Sequence, residues 1–196
     1  NDVPATVEDQ TIRMVVHTSI GGRKVRIRLS NAFGKEAVTF GAVHVVLRKK
    51  ESQIVEGSDR TVTFGGKGTV VIRPGVVLTS DPVELDIEPM ADLAVSLYLP
   101  KSSGPPTNHT VGLHAAYISK GDATASESMS DPSTTYAYLW LSGVDVSASR
   151  NGFAVVALGD SITDGYATTR DADMAWPALL AKRLAGSKST SQISVL

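Results

Sequence analysis

Residues 153 to 165 read FAVVALGDSITDG, and this stretch decides how the second part of the chain is interpreted. The six apolar residues FAVVAL are followed by Gly159, Asp160 and Ser161. This is the pattern of a buried strand that runs into a tight turn. Glycine allows the turn without a Cβ clash, and aspartate can hydrogen-bond to nearby backbone. We therefore expect Ser161 at the exposed tip of the turn.

The residues after this turn predict a helix and a second strand. In WPALLAKRLAG, Pro177 suits the first helical turn and Gly186 suits the position after the last one. The final QISVL resembles another strand. A strand, helix and strand in this order predict a βαβ unit with a parallel sheet covered by helices. Four apolar residues share one face of the predicted helix: Trp176, Leu179, Leu180 and Leu184.

The chain from about residue 11 to 147 has a different pattern, in which short alternating strands are separated by turns. VRIRLS, VELDI and LAVSLYLP each alternate apolar and polar residues, so each should have one buried and one solvent-facing side. TFGGKGT predicts a hairpin turn between two of the strands. These features predict an antiparallel β-sandwich or jelly roll over residues 1–150, followed by an α/β unit over residues 151–196.

Composition limits the classes of partner. The 19 basic residues almost cancel the 20 acidic ones, so no positive surplus favours nucleic acid or an acidic membrane. The longest apolar stretches are far shorter than the roughly twenty residues of a membrane-spanning helix. No cysteine is present, which excludes disulfides and thiolate metal sites. Asn108 begins a possible N-glycosylation triplet, Asn-His-Thr.

A serine at the end of such a strand can act as a nucleophile if a base accepts its proton and donors stabilise the oxyanion. The GDSITDG septet, residues 159 to 165, resembles the first sequence block of the GDSL, or SGNH, family of serine esterases. HTSIGGRKVRIRLSNAFG, SDPVELDI, DLAVSLYLP and SGVDV precede it in the order seen in a two-domain branch of that family. The resemblance implies a β-rich domain followed by the start of a flavodoxin-like α/β/α hydrolase domain.

The resemblance also implies the roles of the turn residues. Ser161 is the expected nucleophile, with its own backbone N–H as one oxyanion donor, and Asp160 and Gly159 support the turn. The family's glycine, asparagine and Asp-x-x-His blocks are not found, and no histidine follows Ser161. We therefore expect a carboxylic ester hydrolase that needs a second polypeptide carrying the rest of the hydrolase domain. The expected substrate is a small ester, an acylated carbohydrate or a lipid, with no cofactor and no metal. Secretion is expected.

Several other residues have bland interpretations as well as functional ones. The acidic residues Asp160, Asp164, Asp171 and Asp173 have no established cation-binding spacing, and His109 and His114 alone are weak evidence for zinc. Arg26 and Arg28 fit a solvated strand face. Three aromatic residues alternate in YAYLW and predict either a sugar-binding surface or packing in the core: Tyr136, Tyr138 and Trp140. The alternative function is a non-catalytic carbohydrate-binding or structural module.

Overall fold

The computed structural model describes residues 3–148 and 152–196. It is mostly β-structure, with 41% of residues in strands and 7% in helices. Seventeen strands are described: β1 Gln10–His17, β2 Gly22–Ser30, β3 Val38–Phe40, β4 Ala42–Lys50, β5 Gln53–Ile54, β6 Arg60–Thr61, β7 Val70–Ile72, β8 Val77–Thr79, β9 Val83–Ile87, β10 Asp92–Leu99, β11 Asn108–His109, β12 Ala116–Lys120, β13 Ser133–Thr135, β14 Tyr138–Leu139, β15 Leu141–Val146, β16 Phe153–Val155 and β17 Ile193–Val195. The two described helices are α1 Ser161–Asp164 and α2 Trp176–Ala185.

The larger sheet is antiparallel and curls into a half-barrel. Its strand order is β13-β12-β1-β10-β4-β5, and β6 also pairs with β4. β1 and β10 pair along their whole length, from Gln10 opposite Leu99 to His17 opposite Asp92. This register brings the last residue of β1 beside the first residue of β10, at one end of the sheet.

A smaller antiparallel sheet packs on the same core. Its order is β15-β2-β8, with β9 also pairing with β2. Register shifts at Gly22/Lys24 and Leu141/Gly143 interrupt its ladders, and such bulges bend strands and increase their twist. The shared core includes side chains from both sheets: Ile12, Met14, Val25, Ile27, Leu29, Val43, Val45, Leu85, Leu93, Val95 and Leu97.

The predicted fold class, a β-sandwich or jelly roll followed by a flavodoxin-like α/β/α start, is wrong, because the chain forms the half-barrel instead. In β10, all five residues from Leu93 to Leu97 are buried, so the solvent-facing side expected for LAVSLYLP does not exist. β1 is likewise buried from Thr11 to Val15. An alternating pattern shows which side chains face the core, but it does not show that irregular loops cover the other side of a sheet.

Arg13 explains how that other side is covered. Its guanidinium is fully buried and donates to Ser96 Oγ on the neighbouring strand, to Ser52 O, and to backbone carbonyls of residues 123–126. Burial lowers the pKa of Arg13 to about 10, so the side chain remains charged at neutral pH. A single cation thus holds a polar loop against the outer face of the half-barrel.

The α/β part agrees with the predicted elements but not with the predicted burial. β16 and β17 pair in parallel, and α2 lies between them in sequence, as the βαβ pattern predicted. The apolar run FAVVAL is not a buried strand, because β16 ends at Val155 and the side chains of Phe153 and Leu158 are 71% and 96% exposed. Two strands and one ten-residue helix cannot form three layers. The predicted boundary between residues 150 and 151 falls outside the described residues.

The hairpin predicted for TFGGKGT is confirmed. Phe64 and Lys67 form a β-bridge, and Gly65 and Gly66 between them have φ values of +61° and +76°. The Asp81 carboxylate accepts hydrogen bonds from both glycine N–H groups, the shorter from Gly66 at 2.7 Å. These bonds hold the pKa of Asp81 below its usual range.

Among the described helices, none has the length and apolar character needed to cross a membrane.

Asn31, at the end of β2, joins two loops to the core, and its loss should destabilise the protein. Its buried side chain donates to Glu36 O at 2.8 Å and to Ile72 O at 3.0 Å. We expect Asn31→Ala to lower the free energy of unfolding by about 1–3 kcal/mol, because buried carbonyls lose their donors. Urea unfolding measures this loss. Asn108→Ala is the matched control, since exposed Asn108 makes one local hydrogen bond, and an equal loss there would contradict the assignment.

Candidate functional site

Ser161 is the first residue of α1, on the turn that follows β16. Asp160 is the N-cap of this helix, and its Oδ1 accepts a hydrogen bond from Ile162 N at 3.0 Å. The Ser161 side chain is exposed, and none of the described residues forms a hydrogen bond with its hydroxyl. Its backbone N–H begins the helix and so has no intrahelical acceptor. The turn therefore leaves the Ser161 hydroxyl exposed and its N–H without an acceptor inside the helix.

Two glycines fix the shape of this turn. A Cβ on Gly159 would collide with the side chain of Thr163, whose hydroxyl in turn accepts a hydrogen bond from Trp176 Nε1 at 3.3 Å. Gly165 ends the helix in the left-handed region, at φ +98°, and its N–H bonds to Ser161 O and Ile162 O. Both positions thus require glycine, one for close approach and the other also for its backbone conformation.

The four histidines each contact an aspartate instead of Ser161. His44 is a residue of β4, and its Nδ1 lies 2.9 Å from Asp59 Oδ2. The other three histidines form five such contacts. They are His17 with Asp92 and Asp173, His109 with Asp164, and His114 with Asp171 and Asp173. No base for Ser161 is therefore found among the described residues.

His109 is the histidine whose partner lies on the same short helix as Ser161. Its Nε2 is 3.0 Å from Asp164 Oδ2, and its ring stacks on Tyr138 with the centroids 6.5 Å apart. Tyr138 donates its hydroxyl to Val15 O at 2.9 Å, and burial raises the pKa of that hydroxyl. This chain of contacts connects the Ser161 turn to the half-barrel. His109 itself is occupied by Asp164 in this arrangement.

Behind this turn, four side chains form what we call the aspartate–histidine cluster: His17, Asp92, His114 and Asp173. His17 Nδ1 is 2.8 Å from Asp92 Oδ1 and 3.6 Å from Asp173 Oδ2. His114 Nε2 is 2.8 Å from Asp173 Oδ1. The cluster joins the end of β1, the start of β10, the segment just before β12 and the loop before α2.

The charges of the cluster support one another. The hydrogen bond to Asp92 is the main cause of a raised pKa for His17, and Asp173 adds to it while burial opposes it. The pKa of Asp92 is lowered chiefly by the same bond, and Arg48 contributes from 2.8 Å. The pairing thus favours a positive His17 between two carboxylates.

The acidic residues singled out in the sequence do not converge on one point. Asp160 caps α1 and Asp164 contacts His109. Asp171 accepts hydrogen bonds from Ala115 N at 2.8 Å and from the Tyr136 hydroxyl. Asp173 alone of the four joins the aspartate–histidine cluster, and of the two histidines considered for zinc, only His114 does so.

The other candidate residues have structural surroundings. Trp140 of the YAYLW stripe is 1% exposed and packs edge-on against Phe40, so it cannot belong to a sugar-binding surface. Tyr136 lies at the surface, with the Arg170 guanidinium 4.0 Å from its ring centre. Arg28 pairs with Asp145 at 3.1 Å, and exposed Arg26 is on the same face of β2. These positions fit the packing and solvated-face interpretations.

Sequence reasoning missed His17, Asp92 and Arg13. His17 and Asp92 are 75 residues apart and meet because β1 and β10 pair in antiparallel register. The only signal in the sequence is that the polar residue His17 ends one strand and Asp92 begins another. This signal does not show that the two residues are partners. Arg13 stands in an otherwise apolar strand, where a buried cation is an unusual feature that the sequence could have shown.

No protein-family model matches this chain, and no curated protein matches it either.

Proposed function

We propose that this chain carries the nucleophile of a carboxylic ester hydrolase. Ser161 Oγ attacks the ester carbonyl, its backbone N–H is one oxyanion donor, and its proton passes through a base to the leaving alcohol. Water then releases the acid from the acyl-serine, so the reaction needs no cofactor. The observation that carries the proposal is the exposed, unbonded hydroxyl of Ser161 on a turn shaped by Gly159 and Gly165 and capped by Asp160.

The base and the other oxyanion donors are proposed to come from a second polypeptide. Each histidine contacts an aspartate, and none of these contacts reaches the Ser161 hydroxyl in the described part of the chain. The two-stranded parallel sheet also leaves apolar side chains in solvent on either side of it, as expected if further strands and helices pack there. These exposed side chains are Phe153, Val156, Leu158, Ile162, Trp176, Leu179 and Leu196.

The proposed substrate is a small ester, either an acylated carbohydrate or a lipid. A cavity of about 410 Å³ adjoins the Ser161 turn. Gly159, Asp160 and Thr163 line it on the side of the turn, and Pro177 lines it from α2. Its volume suits a short acyl group or a single sugar ring.

The test is covalent labelling of native material with a fluorophosphonate, followed by intact mass spectrometry and peptide mapping. We expect the label on Ser161, in preparations that contain a second polypeptide bearing a histidine base. Ser161→Ala should abolish labelling, because the proposal assigns the reaction with the probe to the Ser161 hydroxyl. Ser187→Ala is the matched control, because Ser187 is an exposed serine outside the turn and its loss should leave the label unchanged.

Three results would contradict parts of this proposal. Labelling that survives Ser161→Ala would remove the nucleophile assignment. Efficient ester hydrolysis by the 196-residue chain alone, lost in Ser161→Ala, would overturn the need for a second polypeptide. No labelling in a preparation that contains such a partner would favour the alternative function, a non-catalytic carbohydrate-binding or structural module. The absence of a base for Ser161 among the described residues is consistent with that alternative.

A further inference from the structure

The two carboxylates of the aspartate–histidine cluster share one arrangement. In each carboxylate, one oxygen accepts a hydrogen bond from a side chain other than His17, and the other oxygen faces His17 Nδ1. Arg48 Nη1 holds Asp92 Oδ2 at 2.8 Å, and His114 Nε2 holds Asp173 Oδ1 at 2.8 Å. Asp92 Oδ1 and Asp173 Oδ2 then lie 2.8 Å and 3.6 Å from His17 Nδ1.

These three inner atoms have spacings close to those of metal ligands. They all lie within 4.8 Å of one another. Zinc bonds to nitrogen and oxygen are about 2.0–2.2 Å long, so two ligands of a tetrahedral site are about 3.3–3.5 Å apart. The separation to Asp173 already suits this geometry, and the separation to Asp92 must open by about 0.5 Å. A cation that takes the place of the proton on His17 Nδ1 can therefore contact all three atoms after a small side-chain movement.

The surroundings resemble an outer shell that orients metal ligands. In metal sites, ligating carboxylates are hydrogen-bonded through their remaining oxygen, and this fixes their direction. Arg48 and His114 make such bonds here. His114 is also the most buried member of the cluster, with 6% of its side chain exposed, and its Nδ1 has no hydrogen-bond partner while facing Asp171 at 3.6 Å. His114 therefore lies between two aspartates, and its Nε2 holds the Asp173 carboxylate in the direction of His17.

A cavity of about 310 Å³ lies beside this group of side chains. His17 and Asp173 form part of its wall, together with Met90, Met174 and Lys182. A water molecule or small anion can enter from there, and the ammonium group of Lys182 favours an anion. Three protein ligands with one open position are typical of zinc sites that exchange a ligand.

We propose that His17, Asp92 and Asp173 bind a divalent transition-metal ion, with Arg48 and His114 as orienting residues. The proposal does not depend on the esterase function, because none of these residues contacts Ser161. The metal also has a structural consequence. It links the end of β1 and the start of β10 to the loop that connects the Ser161 turn with α2.

The experiment is titration of the full 196-residue chain, freed of metal with a chelator, with zinc chloride by calorimetry. We expect one saturable site. Asp173→Asn and His17→Gln should each weaken binding at least tenfold, and His114→Gln should weaken it by about 10–100-fold if it orients a ligand. Asparagine keeps the shape of Asp173 and tolerates its positive φ of +50°, so this variant should fold. His44→Gln is the matched control, because His44 pairs with a single aspartate elsewhere.

Substitution with cobalt(II) gives a second measurement that does not depend on affinity. A site with one imidazole and two carboxylates at tetrahedral angles should give visible absorption bands that disappear in Asp173→Asn. The proposal is overturned if zinc shows no saturable binding, or if His44→Gln weakens binding as much as His17→Gln. Binding of calcium in preference to zinc would also overturn it, since calcium selects oxygen ligands and would not require the imidazole.

Discussion

Arg13→Met is expected to lower the free energy of unfolding by at least about 3 kcal/mol, and unfolding at physiological temperature would agree with this. The guanidinium makes five hydrogen bonds, and three of its acceptors belong to the buried residues Ser52, Ser96 and Thr124. Leaving a buried acceptor without a donor costs about 1–3 kcal/mol. Methionine fills a similar volume but supplies none of these bonds. Urea or thermal unfolding followed by circular dichroism measures the loss.

Two variants separate the hydrogen bonds from charge and from side-chain size. Arg13→Lys keeps the positive charge but has one ammonium group, which cannot reach acceptors on both sides of the guanidinium. It should therefore remain destabilised. Arg26→Met makes the same exchange on the exposed face of β2 and should change the free energy of unfolding by no more than about 0.5 kcal/mol. Equal losses for Arg13→Met and Arg26→Met would show that the buried network contributes little.

Gly165→Ala is expected to open the turn that carries Ser161. At φ +98° a side chain costs about 1–2 kcal/mol. The added Cβ would also lie 2.6 Å from Leu113 Cδ1 and 2.8 Å from Ala175 Cβ, so the loop and the start of α2 must separate. Amide hydrogen exchange of residues 161–168 should become at least tenfold faster. The core strands should be unaffected, because the change is local.

Gly57→Ala isolates the backbone contribution. Gly57 has φ +76°, and nothing lies within 4 Å of the position its Cβ would take. Its substitution should cause only the backbone strain, about 1 kcal/mol, without altering exchange around Ser161. If Gly165→Ala leaves the exchange of residues 161–168 unchanged, then the contacts with Leu113 and Ala175 do not hold the turn. Reduced fluorophosphonate labelling of Gly165→Ala would connect the shape of the turn to the proposed chemistry.

The sequence predicted local elements better than it predicted their arrangement. The alternation in VRIRLS and VELDI identifies β2 and β9, and proline and glycine identify the ends of α2, because these signals act within one turn or one strand. The curled sheet was not predicted, since closure depends on pairing between residues about 80 positions apart. The cover over Arg13 was not predicted either, because loop carbonyls carry no residue-specific signal.

In the candidate site, too, the local turn was predicted from the sequence and the long-range contacts were not. Ser161, Asp160 and Gly159 occupy the turn that the apolar run and the GDSITDG pattern indicated, while the catalytic role of Ser161 stays a prediction. The aspartate–histidine cluster could not be predicted. His17 and Asp92 meet only through strand register, and Asp173 reaches them only because the loop before α2 folds back on the half-barrel. Secretion likewise stays a prediction.

The histidine contacts limit how this protein can be rearranged by recombination. Asp164, Asp171 and Asp173 follow Ser161 closely in sequence, yet their histidine partners are His109, His114 and His17 from the first part of the chain. A graft that moved residues 152–196 onto an unrelated β protein would transfer the acids without their bases. A paired change such as His109→Lys with Asp164→Glu keeps a cationic and an anionic side chain at this contact, so it should disturb the junction of the two segments less than a change of His109 alone to an acidic residue.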